Sequence, residues 1–315
     1  MAVRKKFDCQ SFAERIANFA KINDSYMKDD KPVISIEKQE EYYKRLSSIY
    51  KKNGEELLFI DQFLAGGGQE LSRKFWRTIS SARLCFDLYS WMGDDVEYLD
   101  IRFEKKLRVI KSGRATVYSN MDVYFETEKD ICFIESKYTE TVNNYVYKQG
   151  LPEAYRVLEN KYKSTTGSIV TCPILERYFN RKAVMEAFLS FIDTVDSKAQ
   201  DESQEIWFDA KQETCHLLGI VTYAIDNNSK KAIHFNNIAA NYSNNDFANW
   251  FRGRAEQIVN DLFKLFNLEA SFEYRLCGVR EYFTENGFFD KKGFRSDKTV
   301  LDLISDKNLY EANIQ

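Results

Sequence analysis

Along the first ninety residues apolar positions recur at helical spacing. Phe12, Ile16, Phe19 and Ile22 form one stripe over Ser11–Met27, and Tyr42, Tyr43, Leu46 and Tyr50 form another within the charged stretch Ser35–Lys52. Ser35 suits the N-cap of that second helix, with Lys38 where a capping box would carry Glu. Gly66-Gly67-Gly68 interrupts the pattern as a flexible entry, and Leu71, Phe75, Ile79, Leu84 and Leu88 then predict a long helix over Gln69–Tyr89. The period changes next. Alternating and short β-rich apolar blocks predict strands over Leu99–Ile110, Thr116–Glu126 and Ile131–Lys137. Helices follow over Asn144–Leu158, Arg181–Val195 and Glu205–Ile225, a strand over Ala232–Tyr242, an amphipathic helix over Asp246–Phe266 and a strand over Ala270–Val279. The order reads as an α/β protein: an N-terminal helical region (1–65), a core (66–284) and a polar C-terminal tail (285–315).

Composition removes several classes. With 315 residues, 44% of them hydrophobic, the chain is long and apolar enough for one large or two intimate domains and is not a disordered segment. No run of 18 apolar residues and no apolar h-region near the N-terminus are present, so no membrane association and a cytoplasmic setting are expected. None of the six cysteines lies in a C-x-x-C spacing, which favours buried thiols over a zinc site. His216 and His234 are the two histidines, too few for a His-rich metal centre. The net charge of -3 is not that of a bulk nucleic-acid binder, so any polyanion contact has to be local.

The chemistry concentrates in Ser119–Glu140, S-N-M-D-V-Y-F-E-T-E-K-D-I-C-F-I-E-S-K-Y-T-E. Two apolar strands flank a polar turn near Glu128-Lys129. A hairpin centred there places Asp122 opposite Glu135, with Cβ atoms about 5 Å apart, and Lys137 on the same face as Glu135. Ile131 to Ile134 are apolar on both faces, which marks a buried central strand rather than a solvated hairpin. Two carboxylates this close repel one another, and a divalent cation resolves the repulsion. Mg²⁺ (or Mn²⁺) takes one or two carboxylates with waters and phosphate oxygens, and an adjacent Lys can orient or help deprotonate a water. The constellation suits phosphodiester hydrolysis, with Asp122, Glu135 and Lys137 as catalytic candidates.

This segment resembles the PD-(D/E)XK phosphodiesterase superfamily. Met121-Asp122 stands for the Pro-Asp element, without the Pro, and Glu135-Ser136-Lys137 is the (D/E)XK element. Ser80-Ser81-Ala82-Arg83-Leu84-Cys85-Phe86-Asp87-Leu88 is similar to the S-S-x-x-L-x-F-N-L helix of a group of uncharacterised bacterial restriction-endonuclease-like proteins, with Asp87 in place of Asn. The strand carrying Arg102-Phe103-Glu104-Lys105-Lys106 is also similar, and the likeness spans roughly residues 65–225. The resemblance implies a restriction-endonuclease-like mixed central sheet flanked by helices, here with an N-terminal helical elaboration. It implies a Mg²⁺-dependent endodeoxyribonuclease of restriction or defence type, with RNA not excluded as substrate. A catalytically inactive DNA-binding or assembly module of the same fold is the alternative.

In that superfamily a further acid often completes the metal site. Glu104 and Glu70 are the candidates; the first could instead pair with a neighbouring base, and the second could simply favour a helix N-terminus. Some members also place a helical Gln after the Lys, a position Gln212 could fill, whereas His216 reads as a core group or one supporting the site from behind. Arg102, Lys105, Lys106, Arg108, Lys111 and Arg114, opposed by Glu104 alone, form a candidate phosphate-binding stripe or an edge strand kept soluble by charge. Phe288, Phe289 and Phe294, interleaved with Lys291, Lys292, Arg295 and Lys298, suit either base stacking or a tail docked on its own domain. A homodimer through the N-terminal helices would let such an enzyme cut both strands.

Overall fold

The computed structural model describes residues 26–28, 31–66, 71, 74–77, 80–112, 115–137, 190–191, 193–195, 197, 208–240, 246–291 and 294. Short hairpins come first: β1 (Tyr26–Lys28) with β2 (Lys31–Val33), then, after helix α1 (Ile36–Leu46), β3 (Ile49–Lys52) with β4 (Glu55–Leu58). Helices α2 (Phe59–Ala65) and α3 (Ser81–Tyr89) lead into the meander β5 (Asp100–Ser112), β6 (Ala115–Glu126) and β7 (Asp130–Lys137). Helix α4 (Ala210–Asp226) precedes β8 (Ala232–Ala239), α5 (Asp246–Leu265) precedes β9 (Phe272–Gly278), and α6 (Val279–Glu285) ends the series. The five long strands form one mixed sheet in the order β5-β6-β7-β8-β9, antiparallel from β5 to β7 and parallel from β7 to β9. Among the described residues, no helix is long and apolar enough to cross a membrane.

The N-terminal region departs from its helical expectation. Ser35 does cap α1, its Oγ accepting from the N–H of Lys38 at 3.2 Å, but the helix stops at Leu46. Asn53 and Gly54 have φ of 53° and 80°, the paired positive values of a two-residue hairpin turn, so Ile49–Lys52 is a strand and not the end of a helix. The long helix expected over Gln69–Tyr89 begins only at Ser81, where Ser80 Oγ accepts from the N–H of Arg83; Lys74–Trp76 form a turn. Asp87, which stands where the similar helix has Asn, ties α3 to α1 by accepting from Tyr42 Oη at 2.6 Å and Arg45 at 2.7 Å. The expected helices over Ser11–Met27 and Asn144–Leu158 lie outside the described residues, except that Tyr26 and Met27 belong to β1; part of Arg181–Val195 is described and is helical.

Two apolar layers cover the sheet. One is aromatic and joins Phe59, Phe63, Phe75 and Phe86 to Phe103 of β5 and Ile134 of β7. The other packs α4 and α5 on Tyr124, Phe133 and Phe235. Docked on the aromatic layer, Phe288 is buried against Trp91, Tyr282 and Phe283, so this part of the tail is a packed element rather than a stacking platform for bases.

The β5–β6 ribbon changes faces partway. Phe103 packs into the aromatic layer, yet Leu107, four residues on, lies against Gly219 of α4. Likewise Val123 belongs to the aromatic layer while Ser119 touches α4. Strand alternation would put each of these pairs on one face. The inversion sits at Glu104, whose φ of 51° is left-handed, opposite Asp122 in a register that runs from Phe103↔Val123 to Lys105↔Met121.

Candidate active site

The β6–β7 ladder pairs Val123 with Ile134 and Glu126 with Ile131, the register expected from the polar turn. Carried one step further, that register would set Asp122 opposite Glu135. The regular ladder stops there, and Asp122 Oδ2 accepts from the backbone N–H of Ser136 at 2.7 Å. A side chain thus takes over from the backbone where the strands part. On the far side, β7 pairs Glu135 with Asn237 of β8. With that register continued, Glu104, Asp122, Glu135 and Asn237 line up as one row across four strands.

Glu135, Ser136 and Lys137 are all buried. Lys137 Nζ donates to Glu135 Oε1 at 2.5 Å and to Gln212 Oε1 at 2.6 Å, and Gln212 Nε2 donates back to Glu135 Oε1 at 2.8 Å. His216 Nε2 lies 3.1 Å from Glu135 Oε2 as an ion-pair neighbour, and neither of these buried atoms has a further hydrogen-bond partner. The other ring nitrogen, Nδ1, shares a hydrogen bond with Ser119 Oγ. Gln212, His216, Gly219 and Tyr223 are the sheet-facing stripe of α4, spaced as one helical face requires.

Electrostatics follow from this packing. Burial pushes the Glu135 carboxyl up, but Lys137 and His216 outweigh it and hold the group down at about 2. Burial raises Asp122 well above the usual carboxylate range, and the charges of Glu135 and Glu104 push it further. Behind them Glu213, wholly buried, accepts from Asn237 Nδ2 at 2.7 Å and from Tyr274 Oη. Burial raises it to about 7, against the pull of His216 and Lys137. The site holds neighbouring acids with opposed shifts, a pattern that functional sites share with buried ion-pair networks.

Glu104 packs its side chain against Gly66, where a Cβ would meet Glu104 Cγ at 3.0 Å and Oε2 at 3.2 Å. That close approach explains this glycine better than a flexible entry does. Glu70 and Arg114 lie outside the described residues. The basic stripe divides at Glu104. Arg102 pairs with Asp100 at 2.9 Å and Glu55 at 3.6 Å. Lys105 stacks over Tyr124 at 4.7 Å, and burial lowers its ammonium. Lys106 is exposed, Arg108 meets Asp226 at 2.6 Å, and Lys111 pairs with Thr116 in the ladder.

No protein-family model, no curated protein and no solved structure matches this chain. Function therefore rests on the site itself.

Sequence reasoning passed over Ser119, Glu213 and Asn237, and it placed His216 behind the site rather than against Glu135. One signal was present: Gln212, Glu213 and His216 are polar positions on a helix otherwise apolar on its inner side. Among the described residues, no three His, Cys, Asp or Glu side chains are grouped so as to hold a metal ion.

Proposed function

We propose that the chain is a metal-dependent nuclease of the PD-(D/E)XK type, acting on DNA as a restriction or defence endonuclease. The observation that carries this reading is the buried junction of Asp122, Glu135 and Lys137 at the point where β6 and β7 part. The mixed sheet with helices on both faces is in keeping with the fold such an enzyme needs.

The residues suit Mg²⁺ or Mn²⁺. Glu135 Oε2 is a buried acceptor without a hydrogen-bond partner, and Asp122 is an acid strained by two like neighbours. Both are oxygen donors, and Mg²⁺ needs only one or two carboxylates beside waters and phosphate oxygens, so a third convergent side chain is not required. Asp122 and Glu135 would hold the ion, with Glu104, whose charge acts on Asp122, as a further acid. A bound ion supplies charge compensation for the phosphate and lowers the pKa of a water. Lys137, held between Glu135 and Gln212, would orient the attacking water and offset negative charge as it develops on the phosphate oxygens. Gln212 fixes the lysine, and His216 with Ser119 fixes the back of the carboxylate.

The contact of Lys137 with Glu135 also favours a second reading, an inactive module whose lysine permanently fills the cation's role. Two measurements separate them. Purified protein with Mg²⁺ or Mn²⁺ should cut duplex DNA, and Glu135→Gln and Lys137→Met should abolish cutting while retaining the folded circular-dichroism spectrum. Mn²⁺ titration should show a site lost in Asp122→Asn. Cutting by both variants at the wild-type rate defeats the nuclease; Mn²⁺ binding without cutting leaves the inactive module.

A further inference from the structure

Beyond Glu104 and Asp122 the β5–β6 hairpin continues past its pairing with β7. The pairing of β6 with β7 covers only Val123–Glu126, so Ala115–Met121 have β5 as their sole strand partner among the described residues. The ribbon runs from Lys105↔Met121 to Ser112↔Ala115. At about 3.4 Å per residue it extends roughly 24 Å from the catalytic row. One face is fixed to the body: Leu107 and Ser119 abut Gly219, and Val109 is buried. The opposite face presents Lys106, which is exposed, Arg108, and Tyr118, which is 52% exposed. Over residues 105–121 the chain has five basic residues and no acidic one, in a protein of net charge -3. Face inversion at Glu104 produces this segregation. Before it, Arg102 is tied to Asp100 and Glu55; after it, Lys105 stays over Tyr124 while Lys106 is exposed and Arg108 half-exposed.

We infer that this ribbon is an arm that docks on duplex DNA and holds the double helix across the Asp122–Glu135–Lys137 site, an inference that rests on the nuclease reading above. A two-stranded ribbon fits the major groove of B-DNA, about 12 Å wide, whereas the deep, narrow major groove of duplex RNA does not admit one. Its length matches about seven base pairs at 3.4 Å each, so the contact lies to one side of the cut. The bases supply phosphate contacts. Arg108 exchanges its pairing with Asp226 for phosphate at little cost, since both side chains are 39% exposed. Tyr118, opposite Arg108 in the register, is the aromatic element of the same face.

The test is binding rather than cutting. Anisotropy of a labelled duplex DNA two helical turns long is followed with the full-length protein in Ca²⁺ and again in EDTA, over a range of KCl. Lys106→Glu with Lys111→Glu should weaken binding about tenfold or more and reduce the log–log salt slope by about 2, near 0.9 per lost phosphate contact. Lys51→Glu with Lys264→Glu, an equal change of net charge elsewhere, should leave the slope unchanged. If the charge reversal disturbs folding, Lys106→Gln with Lys111→Gln carries the same comparison. Equal behaviour of the ribbon and control variants overturns the arm, as does equal competition by single-stranded DNA or duplex RNA, or no duplex binding by the wild type. Failure of the nuclease reading looks different: ribbon-dependent binding with no cleavage under Mg²⁺ or Mn²⁺ keeps the arm and removes the enzyme.

Discussion

The two histidines stand beside carboxylates at opposite ends of the central sheet, and solvent makes them different objects. At the start of β7, His234 lies 3.1 Å from Asp130 and 3.0 Å from Glu273, acids that are 41% and 63% exposed. At the end of β7, His216 meets a Glu135 side chain only 4% exposed, itself bound to Lys137. Water screens the first group and competes for every contact, so its geometry stores little energy. Water is excluded from the second, so each charge there has to be answered by another, and Glu135 Oε2, with His216 beside it but no further hydrogen-bond partner, has room for a ligand's charge.

The largest break comes from removing Glu135. Glu135→Ala leaves Lys137 buried without its carboxylate, which should cost about 3–5 kcal/mol in urea unfolding. On the proposed nuclease reading it should also lower DNA cleavage by about a thousandfold or more, a loss that Glu135→Gln shares with less damage to the fold. The matching change at the exposed end, Asp130→Ala, should cost no more than about 1 kcal/mol. Equal destabilisation at both ends would mean that burial does not distinguish them.

A second break uses pH. Glu213 is raised to about 7 in the folded protein from a reference of 4.5. The folded state therefore holds a proton that the unfolded state has already released, and stability falls as pH rises from 4.5 through about 7. The full swing is on the order of 3 kcal/mol. Glu135 works the other way: its folded value of about 2 contributes stability above 4.5 that is lost as pH falls toward 2. Glu213→Gln keeps the hydrogen-bonding shape without the charge, so the variant should lose this decline between pH 5 and 7.5 while the acid limb stays. Parallel stability curves for wild type and variant would show that Glu213 is not the group responsible.

Much of the site is legible in the chain because it rests on local pairing. The turn at Glu128-Lys129 and the apolar run Ile131–Ile134 are enough to set the register that pairs Val123 with Ile134 and Glu126 with Ile131, and the structure has it. Gln212 could be matched to the site only through the resemblance. What escaped depends on contacts distant in sequence or on single backbone angles. The alternation of β5 looks continuous, so nothing in it reveals the face change at Glu104. Glu213, Asn237 and Tyr274 meet only after α4, β8 and β9 have assembled. The N-terminal error has another cause. Tyr42, Leu46 and Tyr50 keep helical spacing by chance, and that outweighed Asn53-Gly54, a strong hairpin signal.

Glu104 gives a smaller effect with two readouts. A left-handed non-glycine residue costs roughly 1 kcal/mol or more. Glu104→Gly should therefore raise stability by about 1 kcal/mol while weakening Mn²⁺ binding, as expected if the strain keeps an acid opposite Asp122. A variant that is less stable, with unchanged Mn²⁺ affinity, would make Glu104 a packing residue against Gly66 and nothing more.

The smallest effect is expected at His234, and it is the more informative for that. His234→Gln removes both ring contacts, yet the ring is 28% exposed and its two acids remain solvated. Side-chain entropy and hydration offset most of the Coulomb gain, so the change should stay below about 1 kcal/mol. Measured at acid pH, where an imidazole carries charge, it should shrink further as salt rises, because a Debye length of about 10 Å at 0.1 M falls to about 3 Å at 1 M. The buried group should keep its energy in the same series, so unfolding of Glu135→Ala relative to wild type should vary little with salt. If the His234 variant proves as costly as the Glu135 variant and as indifferent to salt, exposure is not what separates the two ends, and the special standing of the Glu135 site has to rest on something other than its exclusion of water.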